Sequence, residues 1–362
     1  MKIRLIGQRN NLGIGVHYRN FADALRGVRC WGARVEEIDC TDRAALLRAA
    51  AESQDQDVNI CFVSMPLQDH YRGTNIQWIV FESDRIPEII LPTLQNADRV
   101  WVPSDWGYRI LMQHGLDPKR CSVVQEGVDT NLYHAWYPRE SRDQIRFLSV
   151  GKYEQRKSIT ETIQAWAKAF GADPGVHLTI KTDHFVDQDL KQQQIRQQLN
   201  DLALTNVTVF WGAVTQEFLI RLYQESDVFV LPTKGEGWGL PLIEAAASGL
   251  PIITTEWGAH TQFLDRCRSS CIFVEHDLVP IQCPEYQRFY PQAGDWGQWA
   301  QPRIDSIAQA LVTARDQIQV LRPQAQINAG VLRQEFGWPQ SVARALDVLH
   351  QQGLLTISVD QK

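Results

Sequence analysis

Long apolar runs, an excess of positive charge and paired cysteines are all missing from this sequence. No apolar stretch among its 362 residues approaches the length of a membrane-spanning helix, which leaves peripheral membrane contact at most. Lys and Arg number 36 against 42 Asp and Glu, a formal net charge of −6. General nucleic-acid binding normally requires a basic face, so no nucleic-acid partner is expected. The seven cysteines are scattered and odd in number, as in a cytoplasmic protein with reduced thiols. Cys267, Cys271, His276 and Cys283 together raise the question of zinc, but their spacing matches no common finger. Buried structural thiols are the expectation, with no metal. The start, MKIRLIGQRNN, turns polar too soon for a signal peptide and reads as a first strand.

What is present is globular. Hydrophobic residues make up 44% and charged residues 22%, near the averages for folded domains. The length exceeds one core, so two domains are expected. Twelve tryptophans is a high count, but most lie in apolar stretches such as WVPSDW (101–106), where core packing is expected.

Strand-like and helix-like segments alternate along both halves. Strands are predicted at 2–8, 33–39, 58–64, 76–82, 99–104 and 122–127, with helices at 17–27, 42–53, 87–97 and 105–115. Pro92 makes the third helix short or kinked. The stretch TNLYHAWYPRESRDQ (130–144) is polar and without period, and reads as a linker. Strands follow at 146–151, 176–182, 207–212, 228–233, 251–256 and 271–276, with helices at 158–170, 189–204, 215–226, 241–248 and 305–317. This is an α/β pattern of parallel sheets covered on both faces. The expected domains are 1–138, 139–335 and a C-terminal helix in 336–362 that returns to the first domain. Residues 277–302 form an aromatic-rich insertion with no assigned role.

The densest chemistry lies in KGEGWGLPLIEAAASGLP (234–251), directly after the strand-like DVFVLPT. Gly235, Gly237 and Gly239 allow tight turns and close backbone approach to a ligand. Pro241 suits a helix start, and free amides around Trp238 to Leu242 carry about half a positive charge. That is an anion site for a phosphate. An ordinary turn and amphipathic helix would explain Glu244 in the first turn, but not Glu236 with three alternating glycines.

This stretch resembles the signature of the GT-B retaining glycosyltransferases, family 4 (group 1) in particular: Glu, seven residues, then Glu. The resemblance implies two Rossmann-like domains facing a central cleft. It implies that Glu236 lies by the donor sugar, that Glu244 bonds the nucleotide ribose, and that amides of Gly237, Trp238, Gly239 and Leu240 hold the diphosphate. LSVGKYEQRKSITETIQAW (148–166) is similar to the family segment that supplies two cations, here Lys152 and Lys157. Arg156 stands beside Lys157, so either could point inward. Lys152 replaces the usual Arg, and Ser158 replaces the usual Gly. Trp211 to Val214, with Gly212 and Val214, would form part of the base pocket. The loop QRNNLGIGVHYRNF (8–21), with Gly13, Gly15 and His17, resembles the glycine loop of the acceptor domain; His17 serves either a ligand or the helix start.

Asp55-Gln56-Asp57 and Asp187-Gln188-Asp189 raise a metal-dependent alternative, but helix capping or solvation is the expected role of both. His260 is a further cleft candidate. Glu82 stands where relatives carry a loop histidine; it either orients sugar or acceptor hydroxyls or caps a helix near Pro87.

The implied activity is retaining, metal-independent transfer from a UDP-, GDP- or ADP-sugar to a glycan, lipid-linked or small-molecule hydroxyl, with no cofactor. A sugar-nucleotide epimerase, a phosphorylase-like enzyme and a non-catalytic nucleotide-sugar-binding protein are the competing readings.

Overall fold

A computed structural model describes residues 1–28, 33–63, 70–134, 143–184, 186–284, 286 and 294–355. The chain divides into two compact units. Unit 1 comprises Met1–Asp129, Pro284–Gly297 and Phe336–Lys362; unit 2 comprises Thr130–Cys283 and Gln298–Glu335.

Unit 1 is built on six parallel strands: β1 (Lys2–Gly7), β2 (Arg34–Asp39), β3 (Val58–Cys61), β4 (Thr74–Trp78), β5 (Arg99–Val102) and β6 (Cys121–Val123). Their order is β2-β1-β3-β4-β5-β6. Central β3 is buried on both faces, as a parallel sheet covered by helices requires. The helices are α1 (Gly13–Arg26), α2 (Arg43–Ala51), α3 (Leu91–Asn96) and α4 (Asp105–Gln113). α1 buries Tyr18, Phe21, Ala22 and Leu25, one stripe at helical spacing. Asp42 and Ser104 cap α2 and α4 through their side chains. α3 is short, with Pro92 in its first turn.

Unit 2 repeats the plan with β7 (Ile145–Val150), β8 (Val176–Thr182), β9 (Val207–Trp211), β10 (Val228–Val230), β11 (Ile252–Thr255) and β12 (Cys271–Val274). The order is β12-β11-β10-β7-β8-β9, again parallel. Its helices are α5 (Ile159–Phe170), α6 (Gln188–Asp201), α7 (Gln216–Glu225), α8 (Leu240–Ala247), α9 (Thr261–Leu264), α10 (Ile304–Asp316) and α11 (Ile318–Glu335). Trp166 of α5 is fully buried against Phe147 and Phe170, and Trp101 is fully buried in unit 1. Both serve as core.

The last helix, α12 (Trp338–Gln351), packs on α1. Gly127 is required there, because a Cβ on it would stand 2.6 Å from the Trp338 nitrogen. The expected second domain, 139–335, was continuous; the contacts instead give Pro284–Gly297 to unit 1. The flanks of that insertion pair as an antiparallel hairpin in unit 2, β13 (His276–Pro280) with β14 (Gln298–Pro302). Much of the expected linker, 135–142, lies outside the described residues.

Among the described residues no helix is long and apolar enough to cross a membrane, and no group of three His, Cys, Asp or Glu side chains is placed to hold a metal. Asp57 departs from the capping or solvated role expected of it. It is buried and paired with the fully buried Arg4, Nη1 to Oδ2 2.8 Å, and shares that guanidinium with Glu36, whose Oε2 lies 3.3 Å from Arg4 Nε, as a buried charge requires compensation.

Candidate active site

The site in unit 2 is built where β10 gives way to α8. Gly239, the residue before α8, has φ +98° and ψ +54°, a left-handed conformation that favours glycine. A Cβ there would stand 3.1 Å from the Cβ of His260. No side chain caps α8, unlike α2, α4 and α7. The amides of Gly237, Gly239 and Leu240 donate to no described residue. The helix end therefore presents unmet N–H groups and positive partial charge.

Glu236 sits in the loop ahead of that end, 4% exposed. Lys157 Nζ lies 2.6 Å from its Oε1, and Arg156 Nη1 lies 3.3 Å from its Oε2. Arg156 also donates to the Gly235 carbonyl at 2.8 Å. Both cations thus point inward. Burial pushes the Glu236 carboxyl up, but the Lys157 and Arg156 charges and the Lys157 hydrogen bond outweigh it, and the pKa falls to about 2. Lys152 stands half-buried with its Nζ 3.7 Å from Glu154 Oε1. Ser158, ahead of α5, adopts φ +52°, the left-handed conformation for which glycine is better suited.

Glu244 projects from α8 into a different setting. Tyr223 Oη donates to its Oε2 at 2.8 Å, and the Tyr133 hydroxyl also bonds it. The two tyrosine rings meet edge to face at 5.5 Å. Burial raises Glu244 to about 7, and the two hydroxyls only partly oppose that rise. Neither tyrosine was singled out in the sequence. Tyr133 lies in a stretch read as linker, and Tyr223 sits in an ordinary amphipathic pattern.

His260 is fully buried, its Nε2 2.8 Å from the Thr255 carbonyl and its Nδ1 without a hydrogen bond. Burial lowers its pKa, which leaves it neutral at pH 7. Trp238 is nearly buried against Phe263, so its part in any site falls to its backbone. Gly212 follows β9 with φ +91°, and Val214 is half-buried nearby in the chain.

In unit 1, Gly13 and Gly15 lie in the first turn of α1. His17 is not on the loop surface. It is 3% exposed, enclosed by Phe62, Trp78 and Trp338, with Nδ1 3.6 Å from Glu126 Oε1. Burial lowers its pKa to about 3, so it is a neutral core residue. Glu82 caps no helix, since the next one, α3, begins at Leu91. Its Oε2 accepts a hydrogen bond of 2.9 Å from the Tyr286 hydroxyl.

Two parallel six-stranded sheets, each flanked by helices, with a helix N-terminus and buried cations at the end of β10, define the GT-B fold. Solved structures agree. Anabaena HepE in complex with UDP and glucose superposes with a TM-score of 0.72 at 14% identity, covering 97% of this chain and 100% of that one. Sucrose-phosphate synthase from Thermosynechococcus elongatus gives 0.71 at 15% identity, covering 97% and 99%. The sequence then specifies the resemblance further: residues 144–279 match the family model described as glycosyl transferases group 1. Among curated relatives, glycogen synthase of Mycobacterium tuberculosis is 29% identical over 142 residues, 38% of this chain and 32% of that protein. The chain thus spans about a third of that relative's length.

Proposed function

We propose that this protein is a retaining glycosyltransferase that moves a sugar from a nucleotide-sugar donor to a hydroxyl acceptor without a metal. The observation that carries the reading is the cluster of Lys157, Arg156 and Glu236 beside an uncapped helix start with unmet amides. Such a start receives the diphosphate through Gly237, Trp238, Gly239 and Leu240. Lys152 and Lys157 add positive charge where the departing diphosphate gains negative charge, an arrangement most effective in the transition state. Glu236 is held ionised beside the donor sugar. Glu244 exchanges its tyrosine partners for ribose hydroxyls, and Gly212 and Val214 border the base. In unit 1, Gly13 and Gly15 line the acceptor side, and Glu82 orients an incoming hydroxyl in place of Tyr286. The acceptor oxygen attacks the anomeric carbon from the face the diphosphate leaves, and its proton passes to the diphosphate.

A thermal-shift screen with UDP-, GDP- and ADP-sugars tests the donor. One of them should raise the melting temperature, by about 2.7 kcal/mol of added stability at a hundredfold excess over Kd. No shift with any of the three would overturn the reading.

A further inference from the structure

A pocket of about 280 Å³ opens in unit 2 beside the hairpin of the 277–302 insertion. Its lining includes Gln155, Gln282 and Gln301 together with Lys234, Pro280 and Trp299. The hairpin is stapled to the glutamate loop, since the Ala300 amide donates to the Lys234 carbonyl at 2.9 Å. Val279 pairs with Trp299 across the hairpin, and Gln301 lies two residues on, so Trp299 and Gln301 share one face.

The polar groups here have a particular character. Gln155 and Gln282 are exposed and their side chains make no hydrogen bond to any described residue. Gln301 gives Nε2 to Glu161 Oε1 at 3.1 Å. Lys234, 3% exposed, is matched by Glu161, Nζ to Oε1 2.7 Å, so the described lining residues carry no uncompensated charge. Neutral carboxamides offer donors and acceptors together, as vicinal hydroxyls require, while the exposed Pro280 supplies C–H surface and Trp299, 3% exposed, backs the pocket as part of the core. Among the described lining residues a phosphate or carboxylate finds no free cation. The volume lies just below the range for drug-sized ligands and suits one sugar ring.

We propose that this pocket is a saccharide subsite that holds a neutral sugar ring of the acceptor. The inference deepens the glycosyltransferase reading and rests on it for the word acceptor. Gln155 lies two residues from Lys157, and Lys234 two from Glu236, so the subsite adjoins the donor loops along the chain.

Saturation-transfer NMR on the full chain tests it with millimolar methyl glycosides of glucose, galactose, mannose and N-acetylglucosamine. At least one should bind. Gln155→Ala and Gln282→Ala should each weaken that binding three- to tenfold, the loss of one neutral hydrogen bond, and inorganic phosphate should not displace the sugar. Both side chains are exposed and make no hydrogen bond to any described residue, so both variants should fold. Absence of binding by all four glycosides, binding untouched in the double variant, or displacement by phosphate would each overturn the subsite. Nucleotide-sugar thermal shifts on the same variants separate the two claims. Normal shifts with no glycoside binding remove the subsite alone; glycoside binding without any nucleotide-sugar shift removes the glycosyltransferase reading.

Discussion

The loop ahead of α8 and α8 itself each carry one glutamate, eight residues apart, in settings of opposite sign. Glu236 faces two cations and is held ionised, with its pKa near 2. Glu244 faces two tyrosine hydroxyls and, among the described residues, no cation, and its pKa rises to about 7. Residue type and spacing are the same for any carboxylate pair in such a motif; neighbours decide the charge. Glu236 is thereby a fixed charge across the working pH range, and Glu244 an adjustable one. Under the function proposed above, the difference suits a division of labour between a permanent electrostatic part and a hydrogen-bonding part that changes partner when donor arrives.

Glu236→Gln should break the comparison most severely. It leaves buried Lys157 without the carboxylate of Glu236 and Arg156 with only Glu154 among the described carboxylates, at a cost of about 3–5 kcal/mol near pH 7. Because the folded pKa is depressed below its ordinary 4.5, this stability is present above pH 4.5 and lost as pH falls through about 2. Urea unfolding across pH should show wild type and variant converging at the acid end; equal stability at pH 7 would refute the buried ion cluster.

Glu244→Gln should act in the opposite sense. A raised carboxyl pKa contributes stability fully below 4.5 and loses it as pH rises through about 7. The variant should therefore be the more stable protein at pH 8. The gain is about 2 kcal/mol, the shift converted at about 1.4 kcal/mol per unit and discounted because Glu244 is only half-buried. Donor affinity should rise with pH through about 7 in wild type and be weaker and flat in the variant. A pH-independent wild-type affinity would contradict the adjustable carboxylate.

Ser158→Gly is the smallest change and sharpens a related contrast. α5 and α8 both begin after a left-handed residue, Gly239 in one and Ser158 in the other. Glycine at 158 relieves the left-handed strain and removes a buried hydroxyl with no partner, so stability should rise by about 1 kcal/mol. A lower melting temperature in Ser158→Gly would show that the serine holds something the helix start needs.

The sheets and the glutamate loop were legible in sequence because each rests on local signals. Strand alternation, the glycines ahead of Pro241 and the Glu spacing all lie within short windows. Partners brought from far along the chain left no such signal. Tyr133 and Tyr223 reach Glu244 from separate segments, and Tyr286 reaches Glu82 across 204 positions. The burial of His17, expected to serve a ligand or the helix start, was not legible for a different reason: a glycine loop announces backbone freedom, but whether the next turn is buried depends on Phe62, Trp78 and Trp338. Asp57 likewise read as solvated because Arg4, its partner, sits 53 residues away on β1.

The central claim is that the α8 start with Lys157 receives a nucleoside diphosphate without a metal. Calorimetric titration of UDP, GDP and ADP into wild type and Lys157→Ala, all in EDTA, tests it most directly. The account predicts that one nucleotide binds wild type and binds the variant at least tenfold more weakly, a loss of about 1.4 kcal/mol or more. Binding that appears only when manganese is restored, or that is equally tight in a folded Lys157→Ala, would contradict it.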